Sequence, residues 1–366
     1  MAAMEAKKSP TIWDVALRAQ VSIATVSNVL SNRASVNPEL AERVRSAVRE
    51  LGYEVHRVAS QLRSGKSRVV TVLVPSLENP FFTAIISSIE HHSRSLGYDI
   101  IVASSNDDED VERGRISALL SWRPLGVVVV PCTDAFAPRS VLEAAEVPYV
   151  VADRVVEELS GVDAVTVDNR AGAGLAAKHL VDLGHRDVLV VASSLALANI
   201  RQRCAGIQAV FSRAGLEEPT VLECGHTFET VAAHLGSWLE HHACPTGVIA
   251  LTNFGTLGVM AALSKLSIRI PDRVSLVGFD DYVWMRAASP SITAIRQPVD
   301  EIGAHAVKLL HARIRGDDSP RSRIRLACEL VGRSSTQGIG AAGVRAKINP
   351  RRAGKAHLRR KQGEQP

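Results

Sequence analysis

From residue 69 onward the chain alternates short apolar segments with segments of helical spacing, and this alternation restricts its fold most. A first set of apolar segments covers residues 69–75, 99–104, 126–132, 148–153 and 164–169, and a second set covers residues 187–193, 220–225, 247–253 and 274–280. We expect a helix at about residues 80–96 and helices between most of the other segments. Nearly continuous apolar strands separated by helices are typical of parallel sheets covered on both faces. The two sets therefore predict two doubly wound α/β subdomains.

The first 52 residues have a different spacing, which predicts three short helices. Thr11 with Asp14 marks the first helix start, because the hydroxyl caps free N–H groups and the carboxylate lies at the positive helix end. The run breaks at Gln20–Val21, Ser22 caps the second helix, and the third runs from Asn37 to about Leu51 and stops at Gly52. The apolar faces of the first two helices are Ile12, Val15, Ala16 and Ala19, and Val26, Val29 and Leu30.

The second helix leaves mostly small and amide side chains pointing outward, at Ile23, Ala24, Ser27 and Asn28. Such a surface fits the major groove of DNA, where an amide reads adenine and a methyl group meets thymine. Residues 1–67 also hold ten Lys and Arg against six Asp and Glu, which favours a surface that faces phosphates. The alternative interpretation is an ordinary helical hairpin on a protein surface.

Length and charge separate the chain into parts. A length of 366 residues predicts two or three domains, and no apolar run approaches the roughly 18 residues of a membrane span. The stretch 338–366 holds eight Lys and Arg and one Glu, so basic ends flank an acidic middle. Its composition predicts a disordered tail that either attracts DNA or simply stays solvated. The first eleven residues lack the apolar core of a signal peptide, which favours the cytoplasm.

We expect neither a metal nor a nucleotide cofactor. The five cysteines are isolated in sequence, and Cys132 and Cys328 lie in apolar, strand-like segments, so buried free thiols are predicted. The adjacent histidines at 91–92 and 241–242 would diverge by about 100° on a helix and chelate poorly. Gly172, Gly174 and Ala177 imitate a dinucleotide fingerprint, but the acidic residue needed about 20 positions later is missing. We therefore expect these glycines to serve helix packing.

Taken together, these segments resemble the lactose/galactose-repressor (LacI/GalR) family of bacterial transcription regulators. The head carries T-I-W-D-V-A and V-S-I-A-T-V-S-N-V-L, and the later segments are L-V-P-S-L-E-N-P-F-F (73–82), V-D-N-R-A-G-A-G (167–174), H-L-V-D-L-G-H-R (179–186), V-S-L-V-G-F-D-D (274–281) and I-R-Q-P (295–298). They follow the family's order and cover residues 11 to about 336. The resemblance implies an all-α helix-turn-helix head and a periplasmic-binding-protein-like core, in which the chain crosses between two subdomains near 168–170, 296–298 and 324–330.

On this basis we expect a helix-turn-helix domain at 1–55, a hinge helix or linker at 56–67, a ligand-binding and dimerisation core at 68–337 and the tail at 338–366. The core subdomains would comprise 68–168 with 297–325, and 169–296 with 326–337. In the hinge, the family wedges a leucine into the minor groove of the operator and kinks the DNA there. Leu62 matches that leucine, and Ala59 matches the small residue that lets two hinge helices approach; the alternative is that Leu62 packs on the core.

The loops after the strands are where an open α/β sheet binds ligands. Here they hold carboxylates, amides, guanidinium groups and aromatic rings, which suit a polyol. These residues are Asn79, Phe81, Phe82, Asp153, Arg154, Arg201, Arg203, Thr252, Asn253, Asp280 and Asp281. The resemblance selects Arg203 and Asp280 as the main ligand-binding pair and Phe82 and Asp153 as further contacts; Asn79, Phe81, Thr252 and Asn253 complete the predicted ligand set. The alternative for each is an interdomain salt bridge or a helix cap.

Several positions depart from the family pattern. Gln20 replaces a glycine, so we expect a turn that a non-glycine residue tolerates. Asn28 stands where arginine is common, and Val55–His56 replaces a common Pro–Asn before the hinge. Thr252–Asn253 stands in for Asn–Asp or Asn–Asn, and Thr227 lies where an aromatic residue often lines the pocket. The last two changes count against a sugar, so a sugar and a nucleoside-like ligand both stay open.

The sequence therefore predicts a cytoplasmic, homodimeric transcription regulator, a repressor by resemblance, without enzymatic activity. Ile23, Ala24 and Asn28 would read bases of a pseudo-palindromic operator, while Ser22, Thr25 and Ser27 would contact phosphates or support docking. A small ligand between the subdomains would change operator affinity, as inducer or as corepressor. The alternatives are a soluble sugar-binding protein, which would need an export signal and no head, and a nucleotide-using α/β enzyme, for which the chain offers no catalytic set.

Overall fold

The structure, a computed structural model, describes residues 10–30, 36–53, 68–154 and 160–339 of the 366-residue chain. The chain divides into two compact units, residues 1–67 and 68–366, which we call the head and the core. The predicted hinge with Ala59 and Leu62, the Val55–His56 pair and all but two residues of the predicted tail lie outside the described residues.

The described part of the head consists of helices with the predicted starts. They are α1 (Ile12–Ala19), α2 (Ile23–Leu30) and α3 (Pro38–Leu51). Thr11 and Asp14 form a reciprocal capping box, and the side chain of Asn37 accepts a hydrogen bond of 2.9 Å from the backbone N–H two residues later. The predicted apolar faces, centred on Val15 and Val26, pack into one cluster with α3. The helical head is thus confirmed.

Gln20 forms the turn between α1 and α2 in the left-handed backbone region, with φ 53° and ψ 48°. The turn therefore keeps a geometry that favours glycine, and Gln20 adopts it although it carries a side chain. Arg43 of α3 stabilises this turn, because its Nη2 donates to the carbonyl oxygens of Ala19 (2.6 Å) and Gln20 (3.2 Å).

We expect Gln20→Gly to stabilise the head by about 1 kcal/mol, because glycine adopts the left-handed conformation without the steric cost of a Cβ atom. Hydrogen-exchange protection of the α1 and α3 amides in the full chain measures the change. Gly52→Ala is the matched control, since Gly52 is also left-handed (φ 61°) and no described atom lies within 4 Å of an added Cβ. That variant isolates the backbone cost and should lower the protection. If neither variant changed the hydrogen-exchange protection, the proposed steric cost of the left-handed conformation at Gln20 would be wrong.

The first sheet of the core is parallel throughout. Its strands are β1 (Val69–Val74), β2 (Asp99–Ser104), β3 (Gly126–Val129), β4 (Tyr149–Ala152), β5 (Asp163–Val167) and β11 (Arg323–Leu326). Its helices are α4 (Pro80–Ser95), α5 (Glu109–Leu120), α6 (Arg139–Ala144) and α12 (Val299–Ile314). The strand order is β11-β5-β4-β3-β1-β2. We call this sheet with its helices the first subdomain.

The second sheet repeats the plan with one antiparallel edge strand. Its strands are β6 (Val188–Ala192), β7 (Thr220–Glu223), β8 (Gly247–Ala250), β9 (Ser275–Phe279), β10 (Thr293–Arg296) and β12 (Glu329–Val331). Its helices are α7 (Asn169–Asp182), α8 (Ala198–Arg213), α9 (Phe228–His241), α10 (Asn253–Lys265) and α11 (Val283–Ala287). The order is β12-β10-β9-β8-β6-β7, in which only the β12–β10 pair is antiparallel. This is the second subdomain.

Helices cover both faces of each sheet. As a result, successive residues of one strand belong to different apolar clusters. In β1, Val72 and Val74 join the cluster under α4 and α12, whereas Leu73 joins the cluster under α5. Two doubly wound sheets confirm the predicted fold class. The expectation that Cys132 and Cys328 lie in strands is wrong: pairing ends earlier than the apolar runs, so they follow β3 and β11 in partly or fully buried loops.

The chain passes between the two sheets three times, after β5, after β10 and between β11 and β12. Close helix packing accompanies the first crossing. A Cβ atom on Gly206 of α8 would lie 2.0 Å from the carbonyl oxygen of Arg170 in α7, and one on Gly172 would lie 3.0 Å from Cys328 Sγ. These distances support the interpretation that the glycine-rich start of α7 serves packing.

Candidate functional site

Helix α2 of the head carries the described part of the predicted DNA-contacting set. Ser22 caps it, since its Oγ accepts a hydrogen bond of 3.1 Å from the backbone N–H of Thr25. Ile23, expected to point outward, is half-buried instead, because its branched apolar side chain at the first turn reaches the head cluster. The exposed members are Ser22, Ala24, Ser27 and Asn28. Their contacts with DNA stay predictions.

In the core, a cleft at the carboxyl ends of the strands encloses about 780 Å³, part of it open to solvent. Of the predicted ligand set, the structure brings together Asn79, Phe81, Phe82, Asp153, Arg203, Thr252 and Asp280. The remaining lining residues are Ser76, Glu78, Asp107, Arg154, Ser193, Leu197, Asn199, Ile200, His226, Thr227, Phe254 and Gln297. Of these twelve, Arg154 and Thr227 carry a signal in the sequence but lie outside the predicted ligand set, and the other ten were not predicted.

Helix starts position several of these side chains. Asn79 caps α4 by accepting a hydrogen bond of 3.0 Å from the N–H of Phe81, which places Phe81 and Phe82 in the first turn with their rings edge to face at 5.4 Å. Thr252 caps α10 in the same manner, accepting from the N–H of Gly255 at 3.0 Å. Asn79 and Thr252 thus act as helix caps and also line the cleft.

Asp153 and Asp280 occupy equivalent positions in the two subdomains. Each follows a strand, β4 or β9, in a left-handed conformation with φ 63° and 67°. Each donates its backbone N–H to the next strand, to Val165 O and Ile295 O, both at 2.9 Å. Their side chains are buried, with 3% and 7% of the residue surface exposed. Non-glycine residues held in this backbone region are costly and cluster at ligand-binding and active sites.

Arg203 is a buried cation that lowers the pKa of both carboxyl groups. It projects from α8, where its Nε donates to Asn169 Oδ1 at 2.8 Å and its Nη1 donates to the carbonyl oxygen of Leu251 at 2.6 Å. Its guanidinium also stacks on the Phe279 ring, 3.8 Å from the centroid. Three contacts therefore fix a planar donor group in the floor of the cleft.

Burial dominates the electrostatics of the two aspartates. It raises the pKa of Asp280 to about 6, although Arg203 and a hydrogen bond of 2.6 Å from Gln297 Nε2 both lower it. Burial likewise raises the pKa of Asp153, against the attraction of Arg203 and Arg154. The same cause, with the charges of both aspartates, raises the pKa of the Tyr282 hydroxyl. One guanidinium therefore does not fully compensate two buried carboxyl groups.

Buried oxygen atoms here lack hydrogen-bond partners within the described part of the chain. They are Asp153 Oδ1, Gln297 Oε1 and the Tyr282 hydroxyl. A buried polar atom without a partner costs about 1–3 kcal/mol, so such atoms call for an explanation. Carboxylate and amide oxygens only accept hydrogen bonds, and a ligand with several hydroxyl groups supplies the donors. A carboxylate or phosphate on the ligand would instead bring like charge beside the aspartates.

The outer end of the cleft carries a second arginine. Arg154 Nη1 donates to Asp107 Oδ1 at 2.6 Å and to the carbonyl oxygen of Cys132 at 3.1 Å, and its guanidinium lies 5.3 Å from the centroid of the Phe82 ring. His226 of the second subdomain shares this end, and burial lowers its pKa, against the attraction of Asp107. The opposite charges of Arg154 and Asp107 form an ion pair at this end and offset each other.

Three residues named from the sequence do not line the cleft. The expectation that Asn253 contacts the ligand is not met, because its side chain is buried at the start of α10 and accepts a hydrogen bond of 3.0 Å from Trp284 Nε1. Asp281 pairs with Arg333 at 2.6 Å and with Arg296, so it belongs to a structural ion-pair network. Arg201 pairs with Asp134 at 2.7 Å, the interdomain salt bridge that sequence analysis left open.

Within the described ranges, no group of three or more His, Cys, Asp and Glu side chains could hold a metal ion. All five cysteines are free thiols, and burial raises the pKa of Cys132 to about 12. In the described part of the chain, no helix combines the length and apolarity needed to cross a membrane.

Two family matches cover the head and much of the core. Residues 11–55 match the family described as "Bacterial regulatory proteins, lacI family". Residues 177–336 match the family described as "Periplasmic binding protein-like domain". The first match contains α1, α2 and α3, and the second contains Arg203, Asp280 and the strands of the second sheet.

Relatives and solved structures are similar over nearly the whole chain. The Ribose operon repressor of Halalkalibacterium halodurans is 30% identical over 90% of this chain and 97% of its own length. The HTH-type transcriptional regulator PtxS of Pseudomonas putida is 32% identical over 89% of this chain and 96% of its own. The crystal structure of the lac repressor dimer bound to operator and the anti-inducer ONPF superposes with a TM-score of 0.80 at 26% identity, covering 90% of this chain and all of that one.

Proposed function

The chain belongs to the LacI family of bacterial regulatory proteins, and on that premise we propose that it is a transcriptional repressor whose operator affinity is set by an uncharged, hydroxyl-rich ligand in the core cleft. The observation that carries the proposal is the presence, in one chain, of a helix with an exposed reading face and a cleft with unpartnered buried acceptors. We propose that it acts on DNA in the cytoplasm, as a regulator and not as an enzyme.

In the head, we assign base contacts to Ile23, Ala24 and Asn28 and phosphate contacts or docking support to Ser22, Thr25 and Ser27. Two copies would bind the two halves of a pseudo-palindromic site, since a two-fold symmetric dimer requires a two-fold symmetric operator. The lac repressor structure contains such a dimer on its operator. In the hinge we assign the minor-groove wedge to Leu62 and close approach of two hinge helices to Ala59.

For the ligand we favour a neutral monosaccharide over a sugar acid or sugar phosphate. The cleft offers acceptors at Asp153, Asp280 and Gln297 and two phenylalanine rings on which C–H faces pack. The similar protein from Halalkalibacterium halodurans is named for a ribose operon. The cleft carries more acidic than basic side chains, so an anionic ligand would meet net repulsion.

The ligand controls the head only through a difference in affinity for two arrangements of the subdomains. Asp153 lies in the first subdomain and Arg203 and Asp280 lie in the second. A ligand held by all three therefore favours one relative orientation. By reciprocity, operator DNA changes ligand affinity by the same factor, whichever sign the coupling has.

Selection from a randomised DNA pool by the purified full chain, at moderate salt, tests the function. We expect enrichment of a two-fold symmetric motif. The selected site then serves to screen neutral monosaccharides, sugar acids and sugar phosphates for a change in operator affinity. Salt-sensitive binding without an enriched motif, repeated in the presence of the saccharide panel, would contradict the proposal, because charge alone would then explain DNA binding.

Asn28→Ala is expected to relax the selected motif at one position in each half-site. An amide that reads adenine contributes about 1–3 kcal/mol of discrimination, so the preference there should fall by about tenfold. Affinity for unrelated DNA should change little. The exposed Glu39→Ala on α3 is the control and should leave the motif intact. An unchanged motif for Asn28→Ala would remove Asn28 from the reading set.

A further inference from the structure

Asp134 connects the two subdomains at a point away from the crossing segments. It lies in the turn after β3 of the first subdomain and reaches the start of α8 in the second. Its Oδ1 accepts a hydrogen bond of 3.0 Å from the backbone N–H of Ala198, and its Oδ2 accepts one of 2.7 Å from Arg201 Nη2. We call these three residues the Asp134 clasp.

At the start of helix α8, its own segment supplies one side-chain acceptor, Asn199 Oδ1, which accepts a hydrogen bond of 2.9 Å from the N–H of Ile200. Its N-cap residue is Leu197, which makes no side-chain capping hydrogen bond. The first N–H groups of a helix need acceptors, and a carboxylate there also meets the positive end of the helix dipole. Asp134 therefore supplies from the opposite subdomain what a residue at position 197 usually supplies.

Arg201, the second partner of Asp134, is oriented by hydrogen bonds to the loop that precedes α8. Arg201 Nη1 donates to the carbonyl oxygens of Leu195 (2.9 Å) and Ala196 (2.7 Å), so the guanidinium folds back over the segment that precedes α8. This leaves Nη2 directed at Asp134. A preorganised fork loses less side-chain entropy on pairing than a free one.

The turn that carries Asp134 is equally constrained. Buried Glu112 accepts a hydrogen bond of 2.7 Å from the N–H of Cys132, and Thr133 Oγ1 donates to Glu109 at 2.6 Å. Phe136 is 2% exposed and left-handed, with φ 43°, a conformation that a bulky residue adopts only when its surroundings enforce it. Two residues before Asp134, the carbonyl oxygen of Cys132 accepts from Arg154 of the cleft. The clasp is thus tied to the cleft on both sides.

We propose that Asp134 is a positioning residue that clasps the two subdomains together and orients α8, the helix that presents Asn199, Ile200 and Arg203 to the ligand. The clasp sets how far the cleft is closed before a ligand arrives. Its role in ligand affinity rests on the proposed function, whereas its effect on the cleft does not. Losing the clasp frees the start of α8 and lets the cleft open more often.

Hydrogen exchange of the full chain, followed by mass spectrometry without any ligand, tests the clasp. For Asp134→Ala we expect exchange in residues 195–201 to accelerate about tenfold, the effect of removing a helix cap. We also expect faster exchange in residues 76–82, on the opposite wall of the cleft, which local fraying of α8 would not change. Asp134→Asn keeps a capping oxygen and should retain most of the protection from exchange at 195–201. Arg201→Gln should lose only the share of that protection that the ion pair with Asp134 provides.

Asp272→Ala is the matched control, because Asp272 pairs with Arg269 at 3.1 Å within the second subdomain alone. It should leave both cleft segments unchanged. If Asp134→Ala exchanges at 195–201 at the wild-type rate, the proposed clasp is wrong. If its exchange accelerates at 195–201 alone, Asp134 only caps α8 and does not hold the two subdomains together. If Asp134→Ala fails to fold, the cleft exchange of Asp134→Asn and Arg201→Gln decides the question. None of these outcomes depends on DNA or on a saccharide, so the regulator proposal is tested separately.

Discussion

Replacing Arg203 by alanine is expected to destabilise the core by about 3–5 kcal/mol near pH 8 and to abolish ligand binding. Removing one member of a buried charge pair leaves the other uncompensated, which is what makes such changes costly. Here two carboxyl groups, Asp153 and Asp280, lose the cation that lowers the pKa of both. The deficit should shrink towards pH 5, because Asp280, whose pKa burial raises to about 6, then takes up a proton and becomes neutral. Urea unfolding of the full chain at the two pH values measures it.

Arg213→Ala is the control for this variant. Arg213 lies in the last turn of the same helix, is exposed, and donates within the described residues to the carbonyl oxygen of Ala209. Its replacement should change stability by less than about 0.5 kcal/mol and leave ligand binding intact. If Arg203→Ala loses the same unfolding free energy at both pH values, the loss comes from packing on Phe279, which would contradict the electrostatic explanation.

Asp280→Asn should stabilise the ligand-free protein while weakening ligand binding by about 10–100-fold. Burial raises the pKa of Asp280 to about 6, above its value in the unfolded chain. The folded state therefore binds more protons than the unfolded state between about pH 4 and 6, and stability falls as the pH rises through that window. The amide of asparagine does not ionise and therefore removes this penalty. At pH 8 the penalty is worth about 1–3 kcal/mol of stability, since a pKa difference of one corresponds to about 1.4 kcal/mol. The ligand meanwhile loses a charged acceptor.

Urea unfolding at pH 4.5 and pH 8 separates the two states of Asp280. Wild type and Asp280→Asn should be close at pH 4.5 and diverge at pH 8, with the variant more stable. Asp272→Asn, at an exposed ion pair, should follow the wild type at both pH values. A variant less stable than wild type at pH 8 would show that attraction to Arg203 outweighs burial. Thermal shifts with the saccharide panel then report the loss of binding.

Features that depend on neighbours in the chain could be predicted from the sequence. The alternation after residue 69 records strands buried on both faces, so both doubly wound sheets were predictable. Helix starts at Thr11 and Asn37 were predictable because a cap and its partner lie within three residues. The left-handed turn at Gln20 was not predictable, since the contact that stabilises it comes from Arg43, which is 23 residues away.

In the candidate site, the loop-after-strand rule found eight lining residues because the carboxyl ends of parallel strands share one edge. It placed Asn253 wrongly, since the rule locates a loop and not the direction of a side chain. Asp107 and His226 carry no local signal, because each matters only through residues of other loops. The role of Asp134 depends on a backbone N–H 64 residues later, which no spacing in the sequence reveals.

The first sheet is covered by α12, which begins some 130 residues after the end of β5, and is completed by β11, which begins some 155 residues after it. During synthesis on the ribosome, β1 to β5 therefore emerge long before the strand that protects their edge, and such non-local pairing closes late. The head has its apolar cluster within the first 53 residues and can fold first. A chain released before β11 would thus carry a folded head and an unfinished sensor. Premature termination between the head and β11 would then yield products with a folded head that can contact DNA and an incomplete core that cannot respond to the ligand.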